Sequence, residues 1–217
     1  MAYYPVFLEL RDRPCLVVGG GAVAERKVEG LLDAGARVTV VSPVVTDRIA
    51  TWAASAHLVR VPRAYRYGDL AAQELVFVAI DDAPITSAIV AEARERRVWV
   101  NAADDARHSD FILPSVLRRG ALTVAVGTGG ASPALARLIR EELETYFTDD
   151  YGPLVDVAAE VRRELRQRGQ AASGESWRRA FDDAGARRLI AEGRRDEAKA
   201  RLLSRLGASG CGRDGID

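Results

Sequence analysis

Short apolar runs alternate with helix-like periodicity through the first half of the chain. Residues 15–18 are apolar throughout, as in a strand buried on both faces. Residues 23–34 place Ala24, Val28, Leu31 and Leu32 on one face, and Gly35 ends the predicted helix. Further strands are predicted at 37–41, 57–61, 75–80 and 98–100, with a helix over 84–96 that opens on Pro84. The pattern leaves a helix between the second and third strands open. This order predicts an α/β fold of the Rossmann type, a doubly wound parallel sheet.

After Asn101 the character changes. A polar loop over 102–114 precedes an isolated strand at 122–126. Gly127-Thr128-Gly129-Gly130 follows. Ser132-Pro133 then reads as an N-cap and first-position proline for a helix running to about residue 147. Beyond it the spacing is helical only. Leu154, Val157, Ala158, Val161 and Leu165 mark a helix over 153–167, with shorter ones near 177–181, 186–190 and 196–206. The glycine-rich end from Gly207 onward is expected to be disordered.

Charge excludes some functions. Lys and Arg together number 31 against 31 Asp and Glu, a formal net charge of +0, which offers no general nucleic-acid footprint. Residues 151–217 hold 14 cations and 11 anions, leaving 17 and 20 in residues 1–150. That asymmetry is too mild for a nucleic-acid arm. Lys27 and Lys199 are the two lysines, so arginine supplies nearly all the positive charge and suits bidentate pairing with carboxylates and phosphates. Two cysteines (Cys15, read as core, and Cys211) imply no disulfide framework. With His57 and His108 they suggest no zinc site, and no metal ligand is assigned. There is no leader pattern and no run long enough for a membrane span. A cytoplasmic protein with neither nucleic-acid nor membrane partners is expected.

Gly19-Gly20-Gly21-Ala22-Val23-Ala24 fits G-x-G-x-x-[G/A] between a strand and a helix. Gly19 permits the turn, Gly21 admits a pyrophosphate, and Ala24 lets the helix pack closely; the helix start offers free N–H groups to the phosphates. The alternative is a glycine-rich turn that binds nothing. A dinucleotide site usually carries an acid at the end of its second strand. Here that strand ends Val41-Ser42-Pro43-Val44, with no acid until Asp47 and no arginine to welcome a 2′-phosphate. NAD is favoured over NADP. Ser42 or the backbone is the candidate ribose contact.

Asn101-Ala102-Ala103-Asp104-Asp105 follows the fifth strand, at the sheet edge where such folds place reactive groups. A carboxylate there can take a proton, or the pair can be a solvated turn. His108 is a second candidate base or an exposed bystander. Asp81-Asp82, after the fourth strand, can border the cofactor or cap a helix.

These residues resemble a known family. Pro5-Val6-Phe7-Leu8, Leu10-Arg11-Asp12-Arg13, the glycine loop with Glu25-Arg26-Lys27, Asn101–Asp104, Phe111-Ile112-Leu113-Pro114-Ser115 and Gly129–Arg137 are similar to the precorrin-2 dehydrogenase/sirohydrochlorin ferrochelatase family. Its domain also forms the N-terminal part of the longer sirohaem synthases. The resemblance implies an NAD-binding domain over 1–113, a dimerisation segment over 114–149, and a helical domain over 150–206 that covers the active site, followed by a tail over 207–217. It implies NAD-dependent dehydrogenation of precorrin-2 to sirohydrochlorin, a homodimer, and in bifunctional members insertion of Fe²⁺ as a further substrate. The family's catalytic aspartate maps onto Asp104, and cofactor contacts map onto Ala22, Val23, Pro43 and Val44. Gly19, Gly21, Ser42, Asp81 and Asn101 complete the candidate cofactor set. Ile80 departs from the family's usual Thr, Thr128 stands where some members carry a phosphorylatable Ser, and His108 and Asp110 replace small residues. A short-chain reductase is the poorer reading, because neither lysine has a Tyr four residues before it. A nucleotide-sensing module without catalysis leaves the Asn101–Asp104 loop and the helical tail unexplained.

Overall fold

A computed structural model describes residues 3–103 and 105–207, so Asp104 and the end of the chain, with Cys211, lie outside the described residues. It divides into two units, residues 1–113 and 114–217. In the first, strands β1 (Pro14–Val18), β2 (Arg37–Val41), β3 (Leu58–Val61), β4 (Leu75–Val78) and β5 (Trp99–Ala102) form one parallel sheet, in the order β3-β2-β1-β4-β5. Helices α1 (Ala22–Asp33), α2 (Asp47–Ala54) and α3 (Ala83–Arg96) connect them. Strand alternation sorts the core. Cys15 and Val17 pack with Ala24, Val28 and Leu31 of α1 and Ile49 of α2, whereas Leu16 and Val18 pack with Ile89, Val90 and Ala93 of α3. The sheet is thereby covered on both faces, as its continuous apolar strands require.

The helix the pattern left open is α2, capped by Thr46, whose hydroxyl accepts from Ile49 N–H. Burial pushes the Cys15 thiol up to about 11, with Glu74 adding to it, so Cys15 is core. The long link between β3 and β4 is tied to α3 through buried Glu92, which accepts from Tyr65 Oη, Gly68 N–H and Arg96 Nε.

The second unit contains one correction. Residues 122–126 were expected as an isolated strand, but β7 (Leu122–Val126) pairs antiparallel with β6 (Ser115–Arg119), a strand the pattern missed. Helices α4 (Pro133–Tyr146), α5 (Tyr151–Gln167), α6 (Gly174–Phe181), α7 (Ala184–Ala191) and α8 (Arg195–Gly207) follow. Ser132 caps α4 as expected, accepting from Leu135 N–H, and Pro133 opens it. Val157, Val161 and Leu165 of α5 meet Ala180, Ala186, Ile190, Ala198 and Leu202 in a separate core. Gly207 ends α8 rather than starting a tail, and the expected disorder of the remainder falls outside the described residues. No described helix is long and apolar enough to cross a membrane.

Candidate active site

One extra hydrogen bond past each strand end gathers the loops at the carboxyl edge of the sheet. Gly19 N–H reaches Val41 O, Ala79 N–H reaches Val18 O, and Ala103 N–H reaches Val78 O. The glycine turn therefore lies between β1 and β4, where the winding direction reverses and such sheets bind ligands. Its three glycines do different work. Gly19 has φ +119°, and a Cβ there would lie 2.2 Å from Ala79 O. A Cβ on Gly20 would lie 2.1 Å from Val44 O and 2.8 Å from Ser42 Oγ. Around Gly21 there is open space. Gly21 caps α1 with no side-chain hydrogen bond, while Ala24 is buried against the strand. The first N–H groups of α1, at Ala22 and Val23, thus face an open cradle with the helix's positive end behind them. Such a cradle suits a pyrophosphate. The constraint on Gly20 is not local to the motif; only the fold brings Val44 and Ser42 against it.

At the end of β2, Ser42 is nearly buried, and its hydroxyl donates to Val44 O at 2.6 Å, so its proton is already committed. Pro43 and Val44 are exposed beside it. An arginine does reach this point, contrary to the sequence expectation. Arg60 of β3 donates from Nη2 to Pro43 O at 3.2 Å. The two aspartates after β4 divide their roles. Asp82 caps α3, accepting from Ile85 N–H at 2.9 Å, while Asp81 just before it is exposed.

Asn101 is buried in β5, and its Nδ2 donates to Phe111 O at 2.9 Å. The loop beyond it is stitched back onto the strand. Ser109 Oγ accepts from Ala102 N–H and donates to Asp105 O, Asp110 N–H reaches Val100 O, and Asp110 Oδ2 accepts from Val100 N–H at 2.9 Å. Asp105 caps a short 3₁₀ turn, Ala106–His108, and pairs with His108 Nδ1. That His108 bond, with backbone N–H groups, holds the Asp105 carboxyl below its usual range. Asp110 is therefore structural, and His108 is an oriented imidazole. The loop's ends are fixed on both sides of Asp104, which itself lies outside the described residues. Among the described residues no group of acids, His and Cys could hold a metal ion.

Comparison with known proteins agrees with this geometry. A family model described as "Putative NAD(P)-binding" matches residues 6–115, and a second, "Sirohaem biosynthesis protein central", matches residues 119–146. The siroheme synthase of Nitrosococcus oceani is 39% identical over 208 residues, 95% of this chain but 44% of that protein. The siroheme synthase of Methylobacillus flagellatus is 43% identical over 168 residues, 77% of this chain and 36% of that protein. The chain thus spans less than half the length of these curated relatives. Among solved structures, SirC, a precorrin-2 dehydrogenase, superposes with a TM-score of 0.68 at 26% identity, covering 95% of this chain and 100% of that one. The chain belongs to the NAD(P)-binding family of the first model, in the branch that forms the N-terminal part of sirohaem synthases.

Proposed function

We propose that the chain oxidises precorrin-2 to sirohydrochlorin in sirohaem biosynthesis, with NAD as the electron acceptor. The observation that carries this reading is likeness to a precorrin-2 dehydrogenase along that protein's whole length, with a glycine cradle at the sheet's reversal point. A nicotinamide bound there supplies a two-electron acceptor for one C–H bond of the macrocycle. Gly19 makes the turn against Ala79, Gly21 leaves room for the pyrophosphate, and the Ala22 and Val23 N–H groups hold it. Ser42, Pro43 and Val44 flank the adenosine ribose, and Asp81 borders the crevice. Asn101 acts from beneath by holding Phe111, and so the loop that carries Asp104. The Asp104 carboxylate takes the proton released as the hydride leaves, which restores conjugation in the product.

The reading includes a homodimer. It is supported by the apolar side chains that the dimerisation segment leaves uncovered. Leu135 and Leu138 are 48% and 52% exposed one turn apart on α4, and Val116 of β6 and Tyr146 at the end of α4 are exposed as well. A solution mass of two chains is expected. A cytoplasmic location suits the free thiol of Cys15.

The test supplies precorrin-2 and NAD⁺ and follows NADH together with the sirohydrochlorin spectrum. No NADH above the enzyme-free control overturns the proposal. Asp104→Ala is expected to bind NAD⁺ as the native chain does and to lose roughly 10²–10⁴-fold in turnover, the usual worth of a positioned base. Turnover at the native rate would refute its role. Purified sirohydrochlorin with Fe²⁺, with and without the protein, reads chelatase activity separately.

A further inference from the structure

His108 closes the short 3₁₀ turn that follows β5, and the chain is pinned on either side of it. Asp105 Oδ1 accepts from the N–H groups of Arg107 and His108 at 3.2 and 3.3 Å, while Oδ2 meets His108 Nδ1. On the other side Ser109 Oγ accepts from Ala102 N–H at 2.9 Å and donates to Asp105 O at 2.7 Å. The Asp105 carboxyl stays ionised, because the His108 bond and the two backbone N–H groups hold it below its usual range. An ionised acceptor assigns the imidazole proton to Nδ1 and leaves a lone pair on Nε2. The ring is half exposed, and Nε2 has no hydrogen-bond partner among the described residues. An imidazole held this way, with its second nitrogen open, is built to accept a proton.

Ser109 is level with Ala102, the last residue of β5, so His108 stands at the carboxyl edge of the sheet, the edge that carries the glycine cradle. β5 lies two strands from β1, roughly 10 Å at about 4.8 Å per strand. A dinucleotide places its adenosine over β2, so its nicotinamide half extends from the cradle over β4 towards β5. The oxidation releases one proton with each hydride. Two electrons and one hydrogen pass to NAD⁺, and a second hydrogen leaves the macrocycle as H⁺. We propose that the Asp105–His108 pair carries this proton out of the crevice to solvent. The inference rests on the proposed dehydrogenation, in which Asp104 is the first acceptor. His108 Nε2 takes the proton next, and the Asp105 carboxylate stabilises the imidazolium. Water then removes it, which returns the neutral ring for the next turnover. Imidazole suits the step because it both accepts and releases a proton near neutral pH.

NADH formation from precorrin-2 and NAD⁺ by the whole chain tests this, with and without added imidazole and beside an NAD⁺ titration. His108→Ala is expected to lose about 10²-fold in turnover, the lower end of what a positioned acid or base supplies, and to bind NAD⁺ within about twofold of the native chain. Imidazole is expected to restore about tenfold of that loss, rising with its concentration, because the free base carries the proton that the side chain no longer takes. Asp105→Asn keeps an oxygen for the two backbone N–H groups but turns an N–H towards Nδ1, which moves the ring proton to Nε2. It is expected to lose about as much as His108→Ala and to gain little from imidazole, since the ring still fills its place. His108→Ala or Asp105→Asn at the native rate overturns the relay and leaves the proposed function standing. A loss in His108→Ala that imidazole leaves untouched overturns it too, by reducing His108 to a brace for the loop. If the native chain forms no NADH, the dehydrogenation itself fails and the relay with it.

Discussion

At Gly20 a methyl group would have to displace backbone, because Val44 O lies 2.1 Å from where Cβ must go. At Gly21 the same methyl meets nothing, and the backbone there (φ −81°, ψ −172°) is one that alanine adopts freely. The two substitutions therefore separate folding from binding. Gly20→Ala is expected to cost about 1–3 kcal/mol of stability, as overpacking against immovable atoms does. Gly21→Ala is expected to cost at most about 1 kcal/mol, through its weaker N-cap, yet to fill the space a pyrophosphate must enter. Urea denaturation and NAD⁺ titration on the two variants check this. Equal losses of stability would show that the cradle is not shaped as described. The sequence motif made Gly19, Gly21 and Ala24 legible, because those roles are local to a strand–turn–helix unit. It could not show Gly20, whose constraint comes from a turn some twenty residues on, nor Arg60, which reaches the same turn from the next strand.

Strand β5 and its return loop flank position 104 in the chain, and they depend on a single carboxylate for one N–H of a buried residue. Asp110 Oδ2 accepts from the N–H of Val100, a buried residue, while Asp110 N–H pairs with Val100 O. Asp110→Ala leaves that N–H without its side-chain acceptor and is expected to cost roughly 1–3 kcal/mol in urea denaturation. Because the loop is held at Ser109 and Phe111 as well, the loss should fall on turnover through loop placement more than on NAD⁺ affinity. An unchanged denaturation midpoint would argue that solvent already serves Val100. From composition this loop was only a polar stretch, and Asp110 stood as an open question. Its function appears when residues ten apart are laid side by side. The missed strand β6 has a similar cause. Ser-Val-Leu-Arg-Arg offers only two apolar positions, and the hairpin becomes visible only with β7 as its partner. The helices of the second unit were legible because each carries its own apolar period, and α4, α6 and α7 open on a side-chain cap as well.

Across the whole chain equal numbers of acids and bases give a net charge of +0, and many of them meet as ion pairs, so acid should loosen both units. In the first, burial opposes ionisation of Glu92, but hydrogen bonds from Tyr65, Gly68 and Arg96 hold its carboxyl below the usual range. Asp69 is held down chiefly by Arg63. In the second, Asp183 carries the clearest signal. The hydrogen bond from Arg201, then that from Gly185 N–H, then the charges of Arg201 and Arg205, bring it down to about 2 from 3.8. Asp183 caps α7 while both arginines belong to α8, so its charge ties two helices of the second core. A carboxyl depressed by folding stabilises fully above its ordinary pKa, and that contribution drains away as pH falls towards the folded value. Asp183→Asn keeps an oxygen for the Gly185 N–H and removes only the charge. The native chain is therefore expected to melt above the variant at pH 5. The gap should narrow below about pH 4 and close near about pH 2, the window between the two pKa values. Melting followed by helical circular dichroism at each pH reads this directly. A gap that persists at pH 2 would mean the carboxylate acts through its shape as a cap rather than through its charge. A gap absent at pH 5 would mean that solvent screens the α7–α8 pairs so fully that the helical unit is held by its apolar core alone.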